Sequence, residues 1–149
     1  MNDLFLKKSL EEAKKAYAVD EVPIGAVIVK NNSIIAMAHN KKEHDNCVIS
    51  HAEILAIKKA SKKLNNWRLD DCDIYVSLDP CPMCASAIKQ SRIKAVYSCL
   101  NNSDFNNLNI ITEIFKSDST NPSVKFYSNL QSEKAKKILS DFFKEKRNK

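Results

Sequence analysis

Glycine is almost missing from this chain. Its 149 residues hold one, Gly25, so neither common glycine-rich phosphate loop can be built, and mononucleotide and dinucleotide binding of those kinds are excluded. No apolar run approaches the roughly 18 residues that a membrane span requires. Met1-Asn-Asp-Leu-Phe-Leu-Lys-Lys lacks the apolar core of a secretory signal. The chain is therefore expected in the cytoplasm, without a membrane partner. Its five cysteines are odd in number and irregularly spaced, which is no disulfide framework. Repeats, long linkers and low-complexity tracts are also lacking.

What remains is the composition of a globular protein, 44% hydrophobic and 28% charged. The length suits one domain, residues 1–149, large enough to bury a core. A formal charge of +6 permits a polyanionic partner without requiring one. In a reducing compartment, the Cys-x-x-Cys of Cys81 and Cys84 points to metal binding or redox chemistry. Cys47, Cys72 and Cys99 read as small buried hydrophobes.

Apolar residues at helical spacing run through residues 3–19. Gly25–Val29 and Ser33–Ala38, split by Asn31-Asn32, predict a β-hairpin. Helices are expected over 51–64, 83–91 and 131–146, and strands over 73–78 and 93–99. A short edge strand is expected near 123–127, and 100–109 is an asparagine-rich loop. This order implies an α/β sandwich with helices on both faces of a central sheet.

The segment Pro80-Cys-Pro-Met-Cys frames a site. A residue before proline avoids the α region, and proline is favoured at the first helical position. Cys81 thus falls at a helix N-cap and Cys84 at the third helical position, where their side chains converge. The helix N-terminus favours thiolates. Two thiolates do not complete a catalytic zinc site, which commonly has three protein ligands and an open position. His51 is the natural third, since His39 and His44 stand in no comparable frame. Glu53, two residues on, shares a centre with His51 only if that centre lies beyond the helix end. That geometry follows if Ser50 is the N-cap. The competing reading makes Ser50-x-x-Glu53 a capping box. A non-catalytic zinc module is a further reading, with Cys47 as the one candidate to close the shell.

The combination His-x-Glu…Pro-Cys-x-x-Cys is the zinc deaminase signature. The likeness extends further, to Glu21-Val-Pro-Ile-Gly-Ala-Val-Ile-Val, Asn40, Ser91-Arg-Ile and Leu139-Ser-Asp-Phe-Phe-Lys-Glu-Lys-Arg. Across nearly its whole length the chain resembles the bacterial tRNA adenosine deaminases, within the cytidine deaminase-like zinc deaminases. The resemblance implies a three-layer α/β/α sandwich with a central mixed five-stranded sheet. It also implies hydrolytic deamination of the wobble adenosine in a tRNA anticodon loop, by a homodimer with one Zn2+ per subunit. His51, Cys81 and Cys84 would be metal ligands and Glu53 the catalytic proton shuttle. Asn40 would contact a flipped base, and Val22, Pro23 and Ile24 would line its pocket. Phe143, Lys144 and Arg147 would contact RNA. Cys47-Val-Ile-Ser, Asp79 and Asn102 depart from the family pattern, all where RNA would be gripped.

Residues 125–149 carry eight basic side chains against three acidic ones, as a polyanionic substrate needs. A solvated amphipathic helix accounts for many of the same lysines. The alternative function is a free-base deaminase of guanine or cytosine, which uses the same metal site without needing a basic tail.

Overall fold

The computed structural model describes residues 1–102 and 109–148. The elements run in the order α1 (Asp3–Ala18), β1 (Gly25–Lys30), β2 (Ser33–His39), α2 (Ala52–Leu64), β3 (Cys72–Val76), α3 (Pro82–Gln90), β4 (Ala95–Ser98), α4 (Ile110–Ile114), β5 (Lys125–Tyr127) and α5 (Ser132–Arg147). The sheet has five strands in the order β2-β1-β3-β4-β5. β1 pairs antiparallel with β2 and β3, while β3–β4 and β4–β5 are parallel. The sheet is therefore mixed, as expected. Among the described residues no helix is long and apolar enough to cross a membrane.

Two cores follow from the two-residue period of the strands. On β1, Ala26 and Ile28 join one buried cluster, and Val27 and Val29 join the other. The first lies under α2, α3 and α4 through Ala52, Ala56, Ala60, Ala85, Ile88 and Ile111. The second lies under α1 and α5 through Phe5, Leu6, Leu10 and Ala135. Each fully buried aliphatic side chain stabilises by roughly 1.5–3 kcal/mol relative to exposure. Small residues along α2, Ala52, Ala56 and Ala60, let that helix approach the sheet closely, over β1 and β2.

The lone glycine has a steric reason. A Cβ on Gly25 would overlap the backbone oxygen of Ser9 and come within 2.6 Å of Ala13 N, so α1 crosses the start of β1 at van der Waals limit. Left-handed backbone falls mainly to asparagine, with Asp20 and Arg92 the other described cases. Asn31, Asn32, Asn46, Asn65, Asn109 and Asn129 all have positive φ, which their short polar side chains tolerate better than most. Asn31 and Asn32 make the two-residue hairpin turn, and Asn65 is the left-handed C-cap of α2.

Element boundaries shift by one or two residues from the periodicity, as capping dictates. The strand expected from Ile93 begins at Ala95, and α3 begins at Pro82. No element is expected between 110 and 122, yet α4 forms there, too short to show a period. Part of the expected 100–109 loop lies outside the described residues.

Replacing Gly25 by alanine should destabilise the fold by about 3 kcal/mol or more, because backbone rather than a flexible side chain meets the new methyl. That corresponds to a melting temperature roughly 6–12 °C lower, which a thermal melt would report.

Candidate metal centre and active site

The starts of α2 and α3 meet at one point. His51 is the N-cap of α2, with extended backbone at φ −78° and ψ 151°. Cys81 is the N-cap of α3 at φ −71° and ψ 169°, followed by Pro82 at the first helical position. Neither side chain makes a capping hydrogen bond. Both turn instead to a shared centre, where Cys84 joins them. Nδ1 of His51 lies 3.5 Å from Cys84 Sγ and 3.7 Å from Cys81 Sγ. All three donor atoms fall within 4.8 Å of one another. Donors bound at about 2.0–2.3 Å around one tetrahedral zinc stand roughly 3.5–3.8 Å apart, so the set fits such an ion.

The Cys84 side chain, with the backbone amides of Cys84 and Met83 and against burial, draws the Cys81 thiol down to about 5. The same pairing, then burial and the nearby Glu53 carboxylate, pushes Cys84 far up. A dication among the three donors would hold both sulfurs as thiolates, and both helix N-termini favour those anions.

Glu53 stands in the first turn of α2, 3% exposed. Among the described residues its buried Oε1 has no hydrogen-bond partner. Burial raises this carboxyl to about 7, against its own backbone N–H and the Cys84 thiol, which favour the charged form. The capping-box reading is overturned. Ser50 does not cap α2, because the helix starts one residue later, and its hydroxyl donates to Asp45 Oδ2 at 2.8 Å. Displacing the cap to His51 puts His51 and Glu53 both at the helix mouth.

Cys47 is not part of the cluster, which among the described residues has three members. The closed-shell reading therefore lacks its fourth ligand. His39 lies 3.7 Å from the Glu12 carboxylate, remote from the centre in its bonding, and burial lowers its affinity for a proton. His44 is exposed beside Asp45.

Asn40 is 6% exposed. Its Nδ2 donates to Val22 O at 3.3 Å and its Oδ1 accepts from Lys42 N at 3.1 Å. It thus ties the exit of β2 to the Val22–Ile24 segment, while Lys41 N bonds Ser50 O next to His51. Pro23 is fully buried, and Val22 and Ile24 are half-buried. Phe143 is exposed and lines a cavity of about 700 Å³ with Val22, Glu21, His44, Phe142 and Lys146. Lys144 instead borders a separate cleft with Tyr17 and Asp141, and Arg147 is exposed. Lys149, the last of the basic end, lies outside the described residues. The structure joins the metal cluster to Glu53 and joins Phe143 to Val22. It does not bring Lys144 to either.

The sequence marks Glu21 and Asp79 only through the family resemblance, Asp79 as a residue where RNA would be gripped. Both are instead buried supports, a role without sequence signal because their partners are distant in the chain. Glu21, 1% exposed, accepts hydrogen bonds from Glu43 N at 3.0 Å and His44 N at 2.8 Å, pinning the 40–46 loop. Asp79, 2% exposed, accepts from Ser128 Oγ at 2.6 Å and Asn102 N at 3.2 Å. It fastens two loops to the segment that carries Cys81.

Fold and site together define a deaminase of the cytidine deaminase-like type. The profile of the MafB19-like deaminase family matches residues 2–147. A tRNA-specific adenosine deaminase of Bacillus subtilis is 39% identical over 148 residues, covering 99% of this chain and 92% of that protein. A structure solved in work on A-to-I editing by tRNA:A34 deaminases at the wobble position superposes with a TM-score of 0.85 and 35% identity. It covers 93% of this chain and 100% of its own. A guanine deaminase from Bacillus subtilis superposes with a TM-score of 0.67 at 35% identity, covering 100% and 96% of the two chains. The chain belongs to the tRNA-specific adenosine deaminase family within these deaminases.

Metal analysis of the purified protein should return about one zinc per chain. His51→Ala or Cys84→Ala should lower it sharply, and Cys47→Ser should leave it unchanged. Full retention after both ligand changes would rule out this centre.

Proposed function

We propose that this chain, as one deaminase domain, hydrolyses adenosine to inosine at the wobble position of a tRNA anticodon loop. It would do so in the cytoplasm as a homodimer with one Zn2+ per subunit. The observation that carries the reading is Glu53, a buried carboxyl with one unpartnered oxygen, beside the His51, Cys81 and Cys84 donors. Zinc in that donor set supplies a water acidified toward a pKa of about 7.

The remaining chemistry belongs to the chain. The adenine must leave its stack to reach the centre. Glu53 takes the proton of the attacking water and delivers it to N1, which makes C6 electrophilic. It then carries a second proton to the amine, so that water is consumed and ammonia leaves. Burial raises the Glu53 carboxyl above the ordinary carboxylate range, the direction a proton carrier near neutral pH needs. Asn40 holds the Val22–Ile24 wall in place, and by family resemblance its amide would contact the flipped base.

The substrate reading rests on the names of the relatives, on Phe143 beside the Val22 cavity and on the basic α5. A free-base deaminase is the second reading, favoured by the likeness to guanine deaminase. Turnover separates them. The purified protein should form inosine at the wobble position of an anticodon stem-loop, whereas equal efficiency on free guanine would favour the second reading.

Glu53→Gln should keep zinc and the fold while lowering turnover at least a hundred- to ten-thousand-fold. An active Glu53→Gln enzyme would refute the proton shuttle.

Sedimentation should give about twice the 16.9 kDa of one chain. An active monomer at micromolar concentration would contradict the dimer.

A further inference from the structure

Three tyrosines occupy equivalent positions on three neighbouring strands. Tyr75 pairs in register with Tyr97, and Tyr97 with Tyr127. Their rings stack, with centroids 4.8 Å apart at 19° for the first pair and 5.1 Å at 13° for the second. Phe5 of α1 closes the inner end of the column edge-on, 5.3 Å from Tyr75. The outer end is different. Among the described residues β5 is the edge strand, so no described strand supplies a ring beyond Tyr127, and that side chain is 44% exposed.

Two more features lie beside this open ring. Lys125, exposed and two residues earlier, is on the same face of β5, about 6.7 Å along the strand. Ser128, the next residue, donates its hydroxyl to Asp79 Oδ1, two positions before Cys81. The ring is thereby fastened to the segment that carries the metal donors.

We infer that Tyr127 and Lys125 form a subsite for one nucleotide of the RNA substrate outside the catalytic pocket. The base extends the tyrosine column and the ammonium meets its phosphate. The inference rests on the RNA reading of the function. Stacking on a preformed aromatic column is sequence-tolerant, because every base has a π-face. The neighbouring cation favours a nucleotide over an uncharged aromatic side chain of a protein partner.

The experiment measures KM and kcat on an anticodon stem-loop, with zinc content and melting temperature as controls. Tyr127→Ala should raise KM about 5- to 150-fold, the range of one lost base stack, with kcat and zinc unchanged and melting lower by only a few degrees, as loss of one half-exposed aromatic pair implies. Tyr127→Trp should restore KM. Lys125→Ala should reduce the magnitude of the salt slope of log affinity by about 0.7, as loss of one single-strand phosphate contact requires. An unchanged KM in Tyr127→Ala with an active wild type would overturn the subsite alone. A KM loss that Tyr127→Trp does not restore would also overturn it. Failure of the wild type to act on the stem-loop would overturn both this inference and the function on which it rests.

Discussion

Two helix N-termini converge just beyond the carboxyl end of β3, and the placement of every chemically active group depends on that convergence. Each helix brings unpaired N–H groups and a partial positive charge to the same point. Such a place stabilises thiolates and an attacking oxyanion before any side chain is considered. The side chains at the two N-caps, His51 and Cys81, make no capping hydrogen bonds and turn to the shared centre. Helix starts that satisfy their own backbone would not leave those groups available for a metal.

Rigidity around this point comes from buried carboxylates that are not themselves at the centre. Glu21 holds the 40–46 loop by two backbone amides. Asp79 holds Ser128 and Asn102 against the cysteine segment. In both cases a charged group is buried with hydrogen bonds to satisfy it, which makes its removal costly. Glu53 differs in kind. It is equally buried but has an oxygen without a partner, and burial raises its carboxyl to about 7. The structural carboxylates are satisfied, while the one proposed to carry protons keeps an oxygen open. The contrast between them is visible within one small domain.

Much of this was legible beforehand because its causes are local. Prolines on either side of Cys81 dictate where α3 begins, and helix geometry then places Cys84 beside Cys81. Apolar runs at Gly25–Val29 and Ser33–Ala38 imply the strands of a hairpin, and Asn31-Asn32 supplies its turn. Ser50 misled for an equally local reason. Serine three residues before glutamate is how a capping box reads, but Asp45 captures the hydroxyl, and the helix begins at Ala52. The five-residue α4 is too brief to display periodicity.

The sequence by itself determined the donor set, the frames in which the donors sit and the order of the elements, since turn chemistry, capping and hydrophobic period act within a few residues. Only the tertiary structure decided what those groups meet. It set His51 Nδ1 within 3.5 Å of a sulfur 33 positions away, and left Cys47 out of the cluster. It also made Gly25 a contact between α1 and β1 rather than a turn. The tyrosine column belongs to the same category. Tyr75, Tyr97 and Tyr127 are unremarkable as letters, and only parallel pairing in register stacks them. Register between distant strands is set by the packing of both cores at once, and no local run of residues encodes it.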